Sequence, residues 1–195
     1  MVNIRLGFWC WELVLPNKSA NRVVDFLKTL TVLGIAVVFS AMLAHWTRFE
    51  FQAEAHVIDG DSLRIGDEEV RLFGIDAPEY QQICIDQKTG QAFSCGKRSR
   101  AHLEWMIDGR EVRCEGWERD KFDRLLGECH VGEILLNRRM VLDGWAVSFG
   151  DYRTEEEAAK TKRVGLWSSD FEDPYKWRKD KRDMHRKGWL GALFN

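Results

Sequence analysis

The stretch "RLFGIDAPE", residues 71–79, has the apolar middle of a core strand and charge at both ends. Leu72, Phe73 and Ile75 suit a strand, with high β-propensity at Phe73 and Ile75. Arg71 opens it, and Asp76 and Glu79 close it around Ala77-Pro78. Just upstream, "IDGDS" sets Asp59 and Asp61 on either side of Gly60 at a turn. Each acid alone reads as an ordinary turn residue. Two acid-bearing turns on neighbouring strands read differently. Converging carboxylates repel, and one is driven toward its protonated form. A hard divalent cation removes that penalty, and oxygen-only ligands suit calcium or magnesium. Arg124 follows "DKFD" directly. A guanidinium keeps its charge and forks onto phosphate oxygens. Arg71 and Arg124 beside a cation would clamp a phosphodiester as its negative charge grows in the transition state. Taken singly, each arginine reads better as a surface ion pair. Arg71 and Asp76 lie an odd number of residues apart, so a regular strand would put them on opposite faces. Either the chain bends at Gly74 or the strand ends before Asp76.

Working outward, residues 51–75 read as short strands, with a tight hairpin at Gly66-Asp67 between "SLRI" and "EEVRLFGI". Residues 96–108 carry a helical apolar spacing, Ala101 with Trp105 and Leu103 with Ile107, stopped at Gly109. "EVRCEGWER" and "RLLGECHVG" read as two strands joined across "DKFD". A helix follows from about Glu133 to Leu142, ended at Gly144. Another starts at Thr154, where Thr154-Glu155-Glu156-Glu157 forms a capping box, and runs toward Gly165. Strands interleaved with helices in this order suggest a small OB-type barrel of the α+β class.

The chain of 195 residues has room for one ordinary domain and an extension. Its 45% apolar and 31% charged residues exclude a disordered chain and a multi-span membrane protein. A net charge of -2 gives no global pull toward nucleic acid, so local charge decides that question. Residues 30–46, "LTVLGIAVVFSAMLAHW", carry no Asp, Glu, Lys or Arg. This run sits at the short limit for a membrane span. A long leader precedes it, and the A-x-A pattern Ala53-Glu54-Ala55 lies well downstream. An uncleaved transmembrane helix is therefore preferred over a cleaved signal, with a buried core helix third. Arg5, Lys18, Arg22 and Lys28 outnumber Glu12 and Asp25 before it, which puts residues 1–29 in the cytoplasm and the rest outside. The expected setting is a bacterial inner membrane, with the domain in the envelope, or secretion if the segment is cleaved.

The cysteines agree. Cys10 stands alone before the span, and Cys84, Cys95, Cys114 and Cys129 follow it, an even number where disulfides persist. Zinc is disfavoured, because no C-x-x-C or Cys/His cluster has ligand spacing. If Asp120 faces Asp123 in the hairpin, then 118 faces 125, 116 faces 127, and Cys114 faces Cys129. Opposite residues there lie within disulfide reach. Cys84–Cys95 is then the second pair, closing the loop "IDQKTGQAFS". Residues 174–187 interleave Tyr175 and Trp177 with Lys176, Arg178, Lys179, Lys181, Arg182, Arg186 and Lys187. The tail, 171–195, suggests a nucleic-acid or lipid-headgroup contact. A solvated charged helix end is the preferred reading.

"IDGDS", "RLFGIDAPE" and "DKFDRLLGEC" resemble, in order and spacing, the motifs of the staphylococcal nuclease family. The resemblance covers about residues 51–170, including "GWAVSF" and "GLWS". It implies a five-stranded OB barrel with three helices, here preceded by one transmembrane helix, and calcium-dependent cleavage of DNA or RNA by a monomer. Carried over residue by residue, Asp61, Asp76 and the carbonyl of Ala77 would bind calcium. Glu79 would take a proton from the attacking water, and Arg71 and Arg124 would hold the phosphate. Asp59 would stand behind the metal acids, and Lys121 and Phe122 beside the substrate. Phe122 stands where the family has Tyr, and Asp123 where it has Gly. A rival of another class is a non-catalytic OB module that binds single strands, and another is a structural scaffold. Asp61, Arg71, Asp76, Glu79 and Arg124 together favour the enzyme, since a binding module has no need of both metal acids and base.

Overall fold

The protein is described here by a computed structural model covering residues 18–46 and 49–193. It divides into two compact units, Met1–Thr47 and Arg48–Asn195. In the first, helix α1 (Lys18–Trp46) extends well before the charge-free run. Its apolar window, Val23–Leu43, holds 21 residues. At about 1.5 Å per residue this is roughly 31 Å, the thickness of a bilayer's hydrocarbon core. Its apolar side chains are exposed, which removes the core-helix reading. Cys10, Arg5 and Glu12 lie outside the described residues.

The second unit runs β1 (Phe49–Val57), β2 (Ser62–Ile65), β3 (Glu68–Leu72), β4 (Ile75–Asp76), β5 (Ile83–Asp86), β6 (Ala92–Ser94) and α2 (Cys95–Ile107). It continues with β7 (Glu111–Arg119), β8 (Leu125–Val131), β9 (Ile134–Leu135), α3 (Leu136–Leu142), β10 (Val147–Ser148) and α4 (Arg153–Lys162). A 3₁₀ turn at Gly165–Ser168, β11 (Ser169–Asp170) and α5 (Pro174–Leu193) complete it. Strand β1 pairs antiparallel with β2 and β7, β2 with β3, and β7 with β8. A parallel contact between β3 and β8 closes these five strands into the OB-type barrel. Alternation fills it: β8 reads buried at every second residue, and Val57, Leu63, Val70, Leu72, Leu125 and Val131 meet inside. Buried Asn137 secures the closure from α3, donating to the carbonyls of Phe73 and Gly127 and accepting from the Cys129 N–H.

Several local expectations change. The chain does turn at Gly74, with φ +77, and β3 has already ended at Leu72. A Cβ at Gly74 would collide with Asp151, so both geometry and space demand glycine. The hairpin register holds at Cys114↔Cys129, but slips by one at Trp117, so Glu118 faces Leu126 rather than Leu125. The helix expected from Glu133 starts at Leu136, because Ile134 and Leu135 first pair with β8. Thr154 is not a cap: α4 begins at Arg153 after a left-handed Tyr152, whose hydroxyl donates to Glu128. Glu157, the acid of that capping box, accepts instead from Lys160 Nζ, and Glu156 accepts from the Ser148 N–H. Both disulfides are present, Cys84–Cys95 between β5 and α2, and Cys114–Cys129 across the barrel hairpin. Besides α2, α3 and α4 the domain carries α5, a helix more than the three expected.

Candidate active site

Three turns meet at one end of the barrel. The β1–β2 turn brings Asp59 and Asp61, the segment after β3 brings Asp76, Ala77 and Glu79, and the β7–β8 hairpin brings Lys121, Phe122 and Arg124. Parallel pairing of Val70 with Leu125 sets Arg71 and Arg124 at the same rim. Arg71 points away from the core because it alternates with buried Val70 and Leu72.

Asp61 and Asp76 are buried beneath the rim. Arg71 bridges them: its Nη2 lies 2.9 Å from Asp61 Oδ2 and 2.7 Å from Asp76 Oδ1. Asp61 Oδ2 also accepts from the Ala77 N–H at 3.1 Å, and Asp61 Oδ1 from the Ser62 hydroxyl. Asp59 Oδ1 accepts from the Asp61 N–H. Burial, then the Asp59 charge, push the Asp61 carboxyl up to about 6 despite Arg71. Burial likewise raises Asp76. Arg71 moves up as well: burial works against its charge, but the two acids outweigh it. Arg124 grips Asp120 Oδ2 through Nε at 3.0 Å and Nη2 at 2.7 Å, and reaches the Ser62 hydroxyl at 3.4 Å. Asp123 takes φ +68, so an aspartate keeps the left-handed conformation that glycine would supply. Its carboxylate turns outward to Arg119, away from the arginine clamp.

The charged tail is not simply solvated. Arg178 of α5 chelates Asp76, Nη2 to Oδ2 at 2.7 Å and Nη1 to Oδ1 at 2.9 Å, and reaches Glu79 Oε1 at 3.0 Å. Those acids outweigh the burial that opposes its charge, and its pKa rises. Buried Gln82 joins the Glu79 turn to the segment before α5: its Oε1 accepts from the Glu79 N–H and its Nε2 donates to the Glu172 carbonyl. Composition and spacing carried no signal for Ser62 or Gln82, and flagged Arg178 only as one of many tail cations. Arg71, Glu79, Lys121, Phe122, Arg124 and Arg178 face a cleft of about 720 Å³, and two of them, Arg71 and Arg178, pair with the buried acids.

The donor set fits a hard cation. Among the described residues no three His, Cys, Asp or Glu side chains form a ready metal cluster. Yet Asp61 and Asp76 share one guanidinium nitrogen, so their oxygens face a common point. Among the described residues, the cations ion-paired with Asp59, Asp61, Asp76 and Glu79 are Arg71 and Arg178, while Arg124 pairs with Asp120. Negative charge is left over, in an all-oxygen setting suited to calcium.

The profile of the staphylococcal nuclease homologue family matches residues 69–169. The chain is 36% identical over 121 residues to the succinoglycan biosynthesis protein ExoI of Rhizobium meliloti, covering 58% of this chain and 63% of that protein. It is 32% identical over 125 residues to the probable staphylococcal-like nuclease CAN4 of Oryza sativa, covering 60% of this chain but only 23% of the rice protein. Protein ParB of Escherichia coli is 31% identical over 191 residues, covering 86% of this chain and 99% of that protein.

Proposed function

The chain belongs to the staphylococcal nuclease homologue family, and we propose on that footing that it is a calcium-dependent nuclease acting on DNA or RNA. The observation that carries this reading is the cleft in which Arg71, Arg124 and Glu79 stand over the buried pair Asp61 and Asp76. Asp61, Asp76 and the Ala77 carbonyl would hold the cation, which supplies positive charge for the phosphate oxygens as the pentacoordinate transition state forms. Glu79 accepts the proton of a water whose oxygen attacks phosphorus. The new P–O bond forms as the ester P–O bond breaks. Arg71 and Arg124 hold the phosphate oxygens, and the leaving oxygen, hydrogen-bonded by Arg124, departs as an alcohol by taking a proton from solvent water while Arg124 keeps its own. Asp59 keeps the Asp61 turn in place, and Lys121 and Phe122 meet the neighbouring phosphate and base. The protein acts as a monomer, with α1 an uncleaved membrane anchor and the disulfide-bonded domain outside the cytoplasm.

The test is the full chain, purified in detergent and given single-stranded DNA or RNA. Cleavage is expected in calcium, much less in magnesium, whose strict octahedral geometry suits an irregular site poorly, and none in chelator. Full cleavage in chelator overturns the metal role and the mechanism together.

A further inference from the structure

We infer that the face of α5 bearing Tyr175, Arg178 and Arg182 is a binding wall for a nucleic-acid strand, flanking the phosphate held by Arg71 and Arg124. The inference rests on the nuclease reading for the identity of the strand. The family match ends at residue 169 and α5 begins at Pro174, so this wall lies outside the matched region. Residues 175, 178 and 182 are spaced to share one helix face, and all three line the same cleft as Arg71 and Arg124.

Their roles differ by partner. Arg178 is committed to Asp76 and Glu79, and thereby docks the helix against the site. Tyr175 lies one turn before it and is 53% exposed. Its ring therefore offers a free face for a base. Arg182 lies one turn after, and among the described residues it has no carboxylate partner, unlike Arg71, Arg124 and Arg178. An unneutralised guanidinium in the cleft is available to phosphate. On the hairpin side of the same cleft, Phe122 is 67% exposed and has Lys121 beside it. The cleft thus offers an aromatic with a cation on the hairpin side and another such pair on α5. That alternation suits a single strand, whose bases stack while its phosphates pair. A lipid headgroup is disfavoured, because it offers a phosphate but no base to stack on exposed Tyr175 and Phe122.

The experiment is fluorescence anisotropy of the full chain in detergent with chelator, using a labelled single DNA strand of about 12 nucleotides, within the site sizes of such clefts. Tyr175→Ala should weaken binding by about 5- to 150-fold, the range of one base stack. Arg182→Met should flatten the slope of log affinity against log salt by about 0.7, one single-strand phosphate contact. Lys176→Met removes the same charge from a residue that reaches toward Glu172 outside the cleft, and should cost less than either. Both test residues are exposed, so thermal midpoints should be unchanged. Wild-type affinity and slope in the Tyr175→Ala/Arg182→Met double variant, or no binding by the unaltered chain, overturn the inference. Cleavage in calcium is scored separately. A chain that binds through α5 but never cleaves keeps this inference and loses the nuclease reading. A chain that cleaves but ignores both substitutions does the reverse.

Discussion

Glu79 sits in a turn held from both sides. Its carbonyl accepts from the Gln82 N–H, and its own N–H donates to the Gln82 side chain. Glu79→Gln should keep that scaffold and remove the proposed proton acceptor. The expected loss of cleavage rate is about 10²–10⁴-fold, the usual worth of a general base. Retention of more than about a third of the rate would take Glu79 out of the role. Gly96 makes the same point through space. A Cβ there would run into the Glu79 carbonyl, which is backbone and has little freedom to yield. Gly96→Ala should therefore displace the Glu79 turn and lower kcat by on the order of 10²-fold with the circular-dichroism spectrum kept, as small misplacements of a catalytic group do. A wild-type kcat in that variant would show that the turn's position does not limit the reaction.

Helices α2 and α3 are tied through one acid. Asp143, just past the end of α3, accepts from Arg139 Nε at 2.8 Å and lies 2.8 Å from His102 Nε2 on α2. Burial would raise the Asp143 carboxyl, but His102 and Arg139 outweigh it and hold it below its ordinary value of 3.8. A depressed folded-state value means the ionised acid stabilises the fold above about pH 4, and that contribution fades as pH falls through the lower folded value. Asp143→Asn should thus lower the thermal midpoint at pH 7, and the gap to wild type should close in acid. A gap that stays constant down to pH 3 would assign the loss to shape rather than charge. The disulfide Cys84–Cys95 works on the neighbouring element. It closes an 11-residue separation between β5 and α2, worth roughly 3 kcal/mol in the chain-entropy picture.

For the molecule as a whole, the proposed location rests on α1. Its apolar window of 21 residues matches a bilayer core in length, and its apolar side chains are exposed. The expectation is that cells retain the intact 195-residue chain in membranes washed with alkaline carbonate, as read by intact mass. Recovery of a soluble species beginning near Ala55 would instead identify a cleaved export signal.

Much of this was legible in the chain itself. The two acid turns, the arginines at the rim and the alternation of β8 are local patterns, and local patterns survive into any fold that buries their apolar face. The Cys114–Cys129 pair was reached from a wrong turn, since Asp120 bonds back to Arg124 and Arg119 faces Leu125, and it holds only because the bulge at Trp117 shifts the register by one before the cysteines. Thr154 misled because a capping motif is only a local preference, and Tyr152, anchored to Glu128, takes the cap position two residues earlier, so that the helix starts at Arg153. Only tertiary structure decided that Arg178 meets Asp76 across a sequence separation of 102. A cation on a charged helix carries no mark of which carboxylate it will find. That depends on Gln82 tying the Glu79 turn to Glu172, and on the barrel closing so that three distant turns leave buried negative charge for an arginine to balance.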